Sequence, residues 1–408
     1  MVDMELEIVE GRVLAVNGAR ITVEFGADAL EGPGCWLGTA AGGMAEVIAR
    51  LNPTEWVAAV RQGAAPRRGE VCERLGAVGV VVDAEGRGAL SVAHGAALGP
   101  MQTAAALSAV ARGPERPARA PIAWGHPGLD VLAPILDGES CLWSAAHGLA
   151  EPAISAALGV HLAQARGDGA RVVWVDGSGG WPGVALLASP PDLRLGAGPN
   201  RPGALAALPR LAASVVGALL GRGESAVCIF VVPEAMVAAF GEVDGAGGDG
   251  RVAGVEALQL ALGAIGRAEG PARHVIGLEA TTESWALLSS TASAGLEGCF
   301  SARAGFEAGR MVMADTWSPQ RHGQAIGERR RAVAEAIGEL TPLALGVDDF
   351  AAIFGEEEME DAQRDVMAVL GQLAAWLELT PKAPVPVDES VERAAALVLG
   401  ALPATEPG

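Results

Sequence analysis

Two uninterrupted apolar runs, Arg171 to Val175 and Ala226 to Val232, restrict what this chain can fold into more than any other feature. A strand that is apolar on both faces must be covered on both, as happens when helices flank a parallel sheet. Helix-type spacing surrounds the runs, at Ala153 to Ala165, Ala204 to Leu220 and Val255 to Arg267. From Leu142 onward this alternation predicts a doubly wound α/β core.

The flanks read differently. Leu6 to Val16 and Arg20 to Phe25 alternate apolar and polar residues around Asn17-Gly18, a strong hairpin signal. Short runs at Ala45 to Ala49, Trp56 to Arg61 and Val78 to Val82 follow, spaced by Gly and Pro, and predict a small barrel or sandwich. Gln102 to Arg112 is helix-like, and Gly113 to Pro121 is a Pro/Arg-rich connector. After about Gly323 helical spacing dominates, over Glu328 to Leu340, Glu360 to Leu379 and Asp388 to Leu402. Pro381 to Pro386 breaks the chain before the last of these, and Glu356-Glu357-Glu358 is expected to open a helix at its positive dipole end. A chain of 408 residues exceeds what one core usually organises. The expected division is a β-barrel over 1–85, an α/β core over 86–323 and a helical domain over 324–408.

Half of the residues are hydrophobic and 19% are charged, enough for a sizeable core and against disorder. Asp and Glu outnumber Lys and Arg by 49 to 29, for a net charge of −20. That balance opposes nucleic-acid binding and attachment to an anionic membrane, both of which reward clustered cations. An anion such as ATP would need a local cationic or dipolar pocket. Cys35, Cys72, Cys141, Cys228 and Cys299 are scattered, with no C-x-x-C pair, and read as reduced thiols. The acidic start MVDMELEIVEGR has no apolar h-region, and no apolar run of about 18 residues predicts a membrane span, so a cytoplasmic location is expected. No two histidines stand at H-x-x-x-H spacing, and no metal site is expected.

Four stretches, in order, carry a family likeness. Glu10-Gly11-Arg12-Val13 through Phe25 is the first. His126-Pro127-Gly128-Leu129-Asp130, with Pro134-Ile135 and Gly138, is the second. Glu297-Gly298 through Trp317-Ser318-Pro319-Gln320-Arg321-His322-Gly323 is the third. Phe350 through Glu358, followed by Trp376-Leu377 and a last helix, is the fourth. Together they resemble the nucleotide-binding α and β subunits of F-type rotary ATP synthases and their V-type A and B relatives. The second is similar to that family's lead-in "T-G-x-x-x-I-D … P-I … G-Q", with His126-Pro127 near the usual Thr. The third is similar to its "S-x-S-R-x-G" stretch, with Gln320 in place of the second Ser. The resemblance implies an N-terminal barrel, a central P-loop-NTPase-like (RecA-like) parallel sheet and a C-terminal helical domain.

A phosphate loop needs G-x-x-x-x-G-K-[ST], so that backbone N–H groups wrap the phosphates, Lys meets the β/γ oxygens and the hydroxyl ligates Mg²⁺. In register this chain has Ser144-Ala145-Ala146-His147-Gly148-Leu149-Ala150-Glu151-Pro152, of which only Gly148 matches. Glu151 stands near the lysine position and Pro152 near the hydroxyl position, so a carboxylate replaces a cation. His147 reads as a turn residue. The stretch is similar to the lysine-free loop of V-type B subunits. The strand over Ala226 to Val232 has only Glu234 near the expected Mg²⁺-organising acid, and Asp176 is the nearest carboxylate to the position of the water-orienting glutamate. Gly177-Ser178-Gly179-Gly180 and Asp244 to Gly250 read as loops.

The resemblance therefore implies a degenerate, non-catalytic subunit that holds ATP or ADP with Mg²⁺ weakly if at all. Its implied partners are a catalytic subunit in a hetero-hexameric ring and the stalk and rotor, with Arg321 reaching the partner's nucleotide. Such a chain would be peripheral to a membrane through the complex. The alternatives are a divergent catalytic or type III/flagellar export-type ATPase, and a pseudo-ATPase that acts as an interaction protein.

Overall fold

A computed structural model describes residues 9–82, 87–91, 97–111, 120–132, 134–145, 151–180, 184–185, 187, 190–197, 201–244, 250–279, 302–307, 310–313, 326–337, 339–340, 359–377 and 383–398. The chain is a mixed α/β protein made of two compact units that interleave along the sequence. One comprises Met1–Glu115, Ala170–Trp181 and Pro191–Cys299, and the other Arg116–Gly169, Pro182–Pro190 and Phe300–Gly408.

The first unit opens with a closed antiparallel barrel. Its strands are β1 (Glu10–Asn17), β2 (Arg20–Glu24), β3 (Trp36–Thr39), β4 (Met44–Arg50), β5 (Glu55–Gln62) and β6 (Val71–Leu75), in the order β1-β2-β5-β4-β3-β6. Alternate residues point inward, and Val13, Ile21, Val23, Leu37, Val47 and Trp56 fill the interior. The β1–β2 turn lies one residue later than expected. Asn17 pairs with Arg20 in the ladder, leaving Gly18-Ala19 as the two-residue loop. Gly18 carries the positive φ of 59° that such a loop needs at its first position.

The run expected as a further barrel strand joins a different sheet. β7 (Gly79–Val82) pairs antiparallel with β8 (Arg87–Ser91) and with β9 (Ala97–Pro100). β8 then pairs parallel with β14 (Leu193–Gly196), next to β13 (Ala170–Asp176), β15 (Ser225–Val231) and β16 (Arg273–Glu279). Every residue of β15 after Ser225 is buried, as a strand covered on both faces must be. The helices of this unit are α1 (Ala104–Ala111), α4 (Arg201–Gly221), α5 (Pro233–Val243) and α6 (Gly250–Arg267). α4 is the one described helix long and apolar enough to cross a membrane, and 83% of its apolar window is buried within the fold.

In the second unit, β12 (Ser140–Ala145) pairs parallel with β17 (Ala302–Glu307), and β17 pairs antiparallel with β18 (Arg310–Met313). A two-stranded ladder joins β10 (Pro121–Ile122) to β11 (Ile135–Leu136). Its helices are α2 (Pro127–Leu132), α3 (Glu151–Gly167), α7 (residues 328–337), α8 (Asp361–Leu377) and α9 (Val387–Val398). Val131 of α2 shares a core with Val333, Ile337, Leu373, Val391 and Val398. The Glu356-Glu357-Glu358 run lies outside the described residues, and the helix that follows starts at Asp361.

Candidate functional site

The sequence-predicted phosphate loop falls between a strand and a helix. Ser144 lies in β12, in register with Gly305 of β17, and the strand ends at Ala145. His147 and Gly148 lie outside the described residues. Glu151 and Pro152 are the first two residues of α3. A helix start of this kind is ordinarily an anion site, because its first N–H groups are free and carry the positive end of the dipole. Here Pro152 removes one of those N–H groups, so the helix start offers one donor fewer.

In the first unit, chain order sets a second place to look. β13 is followed by β14 on one side, and β15 then pairs on the other side of β13. The carboxyl ends of β13 and β15 therefore flank a topological switch point, the usual crevice for ligands in open α/β sheets. The Asp176 carboxylate accepts hydrogen bonds there from Ser178 N at 2.8 Å, Ser178 Oγ at 2.6 Å and Gly179 N at 3.2 Å. Gly180 N donates to Ser178 Oγ, and Gly177 N to Val231 O. A side chain on Gly177 would meet the Val231 and Val232 carbonyl oxygens at about 3 Å, so the loop presses close to the end of β15. The loop amides and the Asp176 carboxylate are thus satisfied by each other rather than directed to a phosphate.

β15 ends in strain. Val232, at φ 56° and ψ 61°, is left-handed, which for a β-branched residue costs about 1–2 kcal/mol. It is held by a hydrogen bond to Leu278 O at 2.7 Å and by Pro233, which starts α5. Glu234 pairs with Arg251 at 2.5 Å. Both carboxylates nearest the expected metal and water positions are engaged locally.

The lead-in residues His126 and Asp130 enter a buried polar cluster of the second unit. Asp130 Oδ1 accepts a hydrogen bond from Trp124 N at 2.8 Å, tying the turn before α2 back onto the helix. Burial pushes the Asp130 carboxyl up to about 7, against the pull of the Trp124, Gly125 and His126 amides and the Arg330 charge. Burial likewise lowers Arg330 to about 10 and holds His126 and His161 at about 4. The His161 ring lies 4.4 Å from that of Trp124. His126 Nδ1, Asp130 Oδ2 and Arg330 Nε and Nη2 are buried without hydrogen-bond partners among the described residues. Arg330 was not singled out by sequence, although it sits one turn before Val333 and Ala334 and two before Ile337 on the buried face of α7, where a lone arginine is conspicuous.

Asp244, expected in a surface loop, is instead paired inside the first unit. Arg61 of β5 donates Nε to Glu46 of β4 at 3.0 Å and both terminal nitrogens to Asp244, at 3.0 and 2.7 Å. Arg210 of α4 donates to the same Glu46. Burial works to raise the Glu46 carboxyl, but the Arg210 and Arg61 charges outweigh it and hold it below its usual value. Arg321 lies outside the described residues. No protein-family model matches this chain, and no curated protein sequence matches it.

Proposed function

We propose that this chain is a non-catalytic, α/B-like subunit of a rotary-ATPase ring, with a RecA-like core, a C-terminal helical domain and no hydrolysis at its own loop. The observation that carries the reading is α3 starting at Glu151-Pro152, where the family places a lysine and a hydroxyl. Phosphoryl transfer depends on positioned cations and metal. A unit charge at ~4 Å is worth about 4 kcal/mol at an effective dielectric near 20, and here its sign is reversed. The closed N-terminal barrel and the parallel strands agree with the architecture that the resemblance implies. Ring partners would be a lysine-bearing catalytic subunit and stalk and rotor components, with Arg321 directed at the catalytic nucleotide.

Titration of the purified chain with Mg-ATP tests the loop. Binding is expected to be weaker than roughly 10 μM, or about −7 kcal/mol, and tighter binding or turnover overturns the reading. Ultracentrifugation tests the ring. A stable homohexamer of this chain alone points to an export-type ATPase, whereas assembly only with a catalytic partner supports the α/B-like role.

A further inference from the structure

We propose that the cavity between α1, α4, α5 and α6 binds a small apolar molecule bearing a protonated amine. The cavity is ≈ 270 Å³. An apolar cavity of about 150 Å³ holds benzene, so this one has room for a ring and a short tail. Leu107, Phe240 and Leu260 supply apolar wall, and the alanines at 206, 207, 253 and 257 leave the space open.

Charge selects the polar end of the ligand. Two cations line the cavity, Arg61 and Arg210, but Glu46 and Asp244 neutralise them. Arg210 Nε has no acceptor among the described residues, yet it is closed off from solvent. What the wall leaves over is one acceptor. Glu256 is exposed at the rim and takes part in no ion pair or hydrogen bond among the described residues. A carboxylate calls for a donor, and a cationic donor meets its charge as well. The inference is independent of the rotary-ATPase reading.

The probes are phenethylammonium, 2-phenylethanol and 3-phenylpropionate, compared at pH 7 by saturation-transfer NMR on the full chain. Phenethylammonium should bind saturably at millimolar concentration or below, and the alcohol about 5-fold more weakly, the range of a partly exposed ion pair. The carboxylate should bind least. Glu256→Gln should bring the amine to the level of the alcohol and leave the alcohol unchanged. Ala257→Phe, which fills the cavity, should abolish both, and Ala253→Leu serves the same end if the larger change impairs folding by circular dichroism. The proposal is overturned if none of the probes binds. It is equally overturned if the alcohol matches the amine, if the carboxylate binds best, or if a folded, filled variant binds undiminished.

Discussion

Arg61→Ala should loosen the barrel's attachment to the helices of the first unit far more than an ordinary surface arginine change. The side chains of Arg61, Glu46 and Asp244 are only 4%, 5% and 8% exposed, so the substitution leaves carboxylates in a place that water does not reach. Glu46 keeps Arg210, but Asp244 loses its bonds to both Arg61 Nη1 and Nη2. Removing one partner of a buried ion pair costs about 3–5 kcal/mol. Where exchange proceeds through opening of this region, amides of β4 and β5 should exchange about 100- to 4000-fold faster, since 1.4 kcal/mol is tenfold. Hydrogen exchange read by mass spectrometry on peptides covering Met44–Gln62 measures this. Arg61→Lys should recover less than half of the loss, because an ammonium cannot serve Glu46 and both Asp244 oxygens with a planar fork. The triple change Glu46→Leu, Arg61→Met and Asp244→Ala should cost less than Arg61→Ala alone, since no carboxylate is then stranded. An exchange change under tenfold for Arg61→Ala, or a triple variant weaker than the single one, would refute the reasoning.

Three further outcomes are expected. His126 and His161 have folded pKa values of about 4, below 6.5, so their stabilising contribution is present above pH 6.5 and is lost as pH falls towards 4; Asp130, raised to about 7, does the opposite and loses its contribution as pH rises from 3.8 through 7. Two groups against one place the cluster's optimum near pH 6.5, and Asp130→Asn should remove the alkaline-side fall in a calorimetric pH series; a wild-type optimum below pH 5 contradicts this. Gly203→Ala should destabilise by more than about 3 kcal/mol although alanine favours helix, because its Cβ would collide with the Val60 carbonyl oxygen, whereas Gly159→Ala, with nothing within 4 Å, should stabilise by up to about 1 kcal/mol, both read by denaturant titration. Val232→Gly should raise stability by up to about 1 kcal/mol, the left-handed strain released less the added backbone entropy, and a loss above 1 kcal/mol would mean that the valine side chain matters more than its φ.

The features legible in the sequence were those set by local pattern. The continuous apolar runs became β13 and β15 within one residue at each end, because a doubly covered strand has no polar face to confuse the period. Helices α3, α4 and α6 were likewise anticipated from spacing, each extending one to five residues further than the apolar pattern. Misplaced features depended on partners distant in sequence. Val78 to Val82 is a short apolar run spaced by glycine like those that form the barrel, and only its pairing with β8 and β9 assigns it to another sheet. α5 was missed because Pro233-Glu234 reads as the end of a strand; it also serves as a helix start, Pro being favoured in the first turn. Asp244 looked like loop because glycines surround it, and nothing near it announces Arg61. At the candidate site, the identities of Glu151 and Pro152 are plain in the sequence. The engagement of Asp176 with Ser178 and of Glu234 with Arg251 is not, since either acid would look equally available on paper.

The ion network has a consequence for how the chain is made. All six barrel strands lie between Glu10 and Leu75, so the ribosome completes that sequence before the helices that follow it. Asp244 follows Arg61 by 183 residues, and at synthesis rates of about 5–20 residues per second it emerges roughly 10–40 s later. For that interval a nascent barrel would carry Arg61 and Glu46 on a face without its helical cover, in water, where charged groups favour solubility. The same residues that lock the finished fold would guard the unfinished one against premature association.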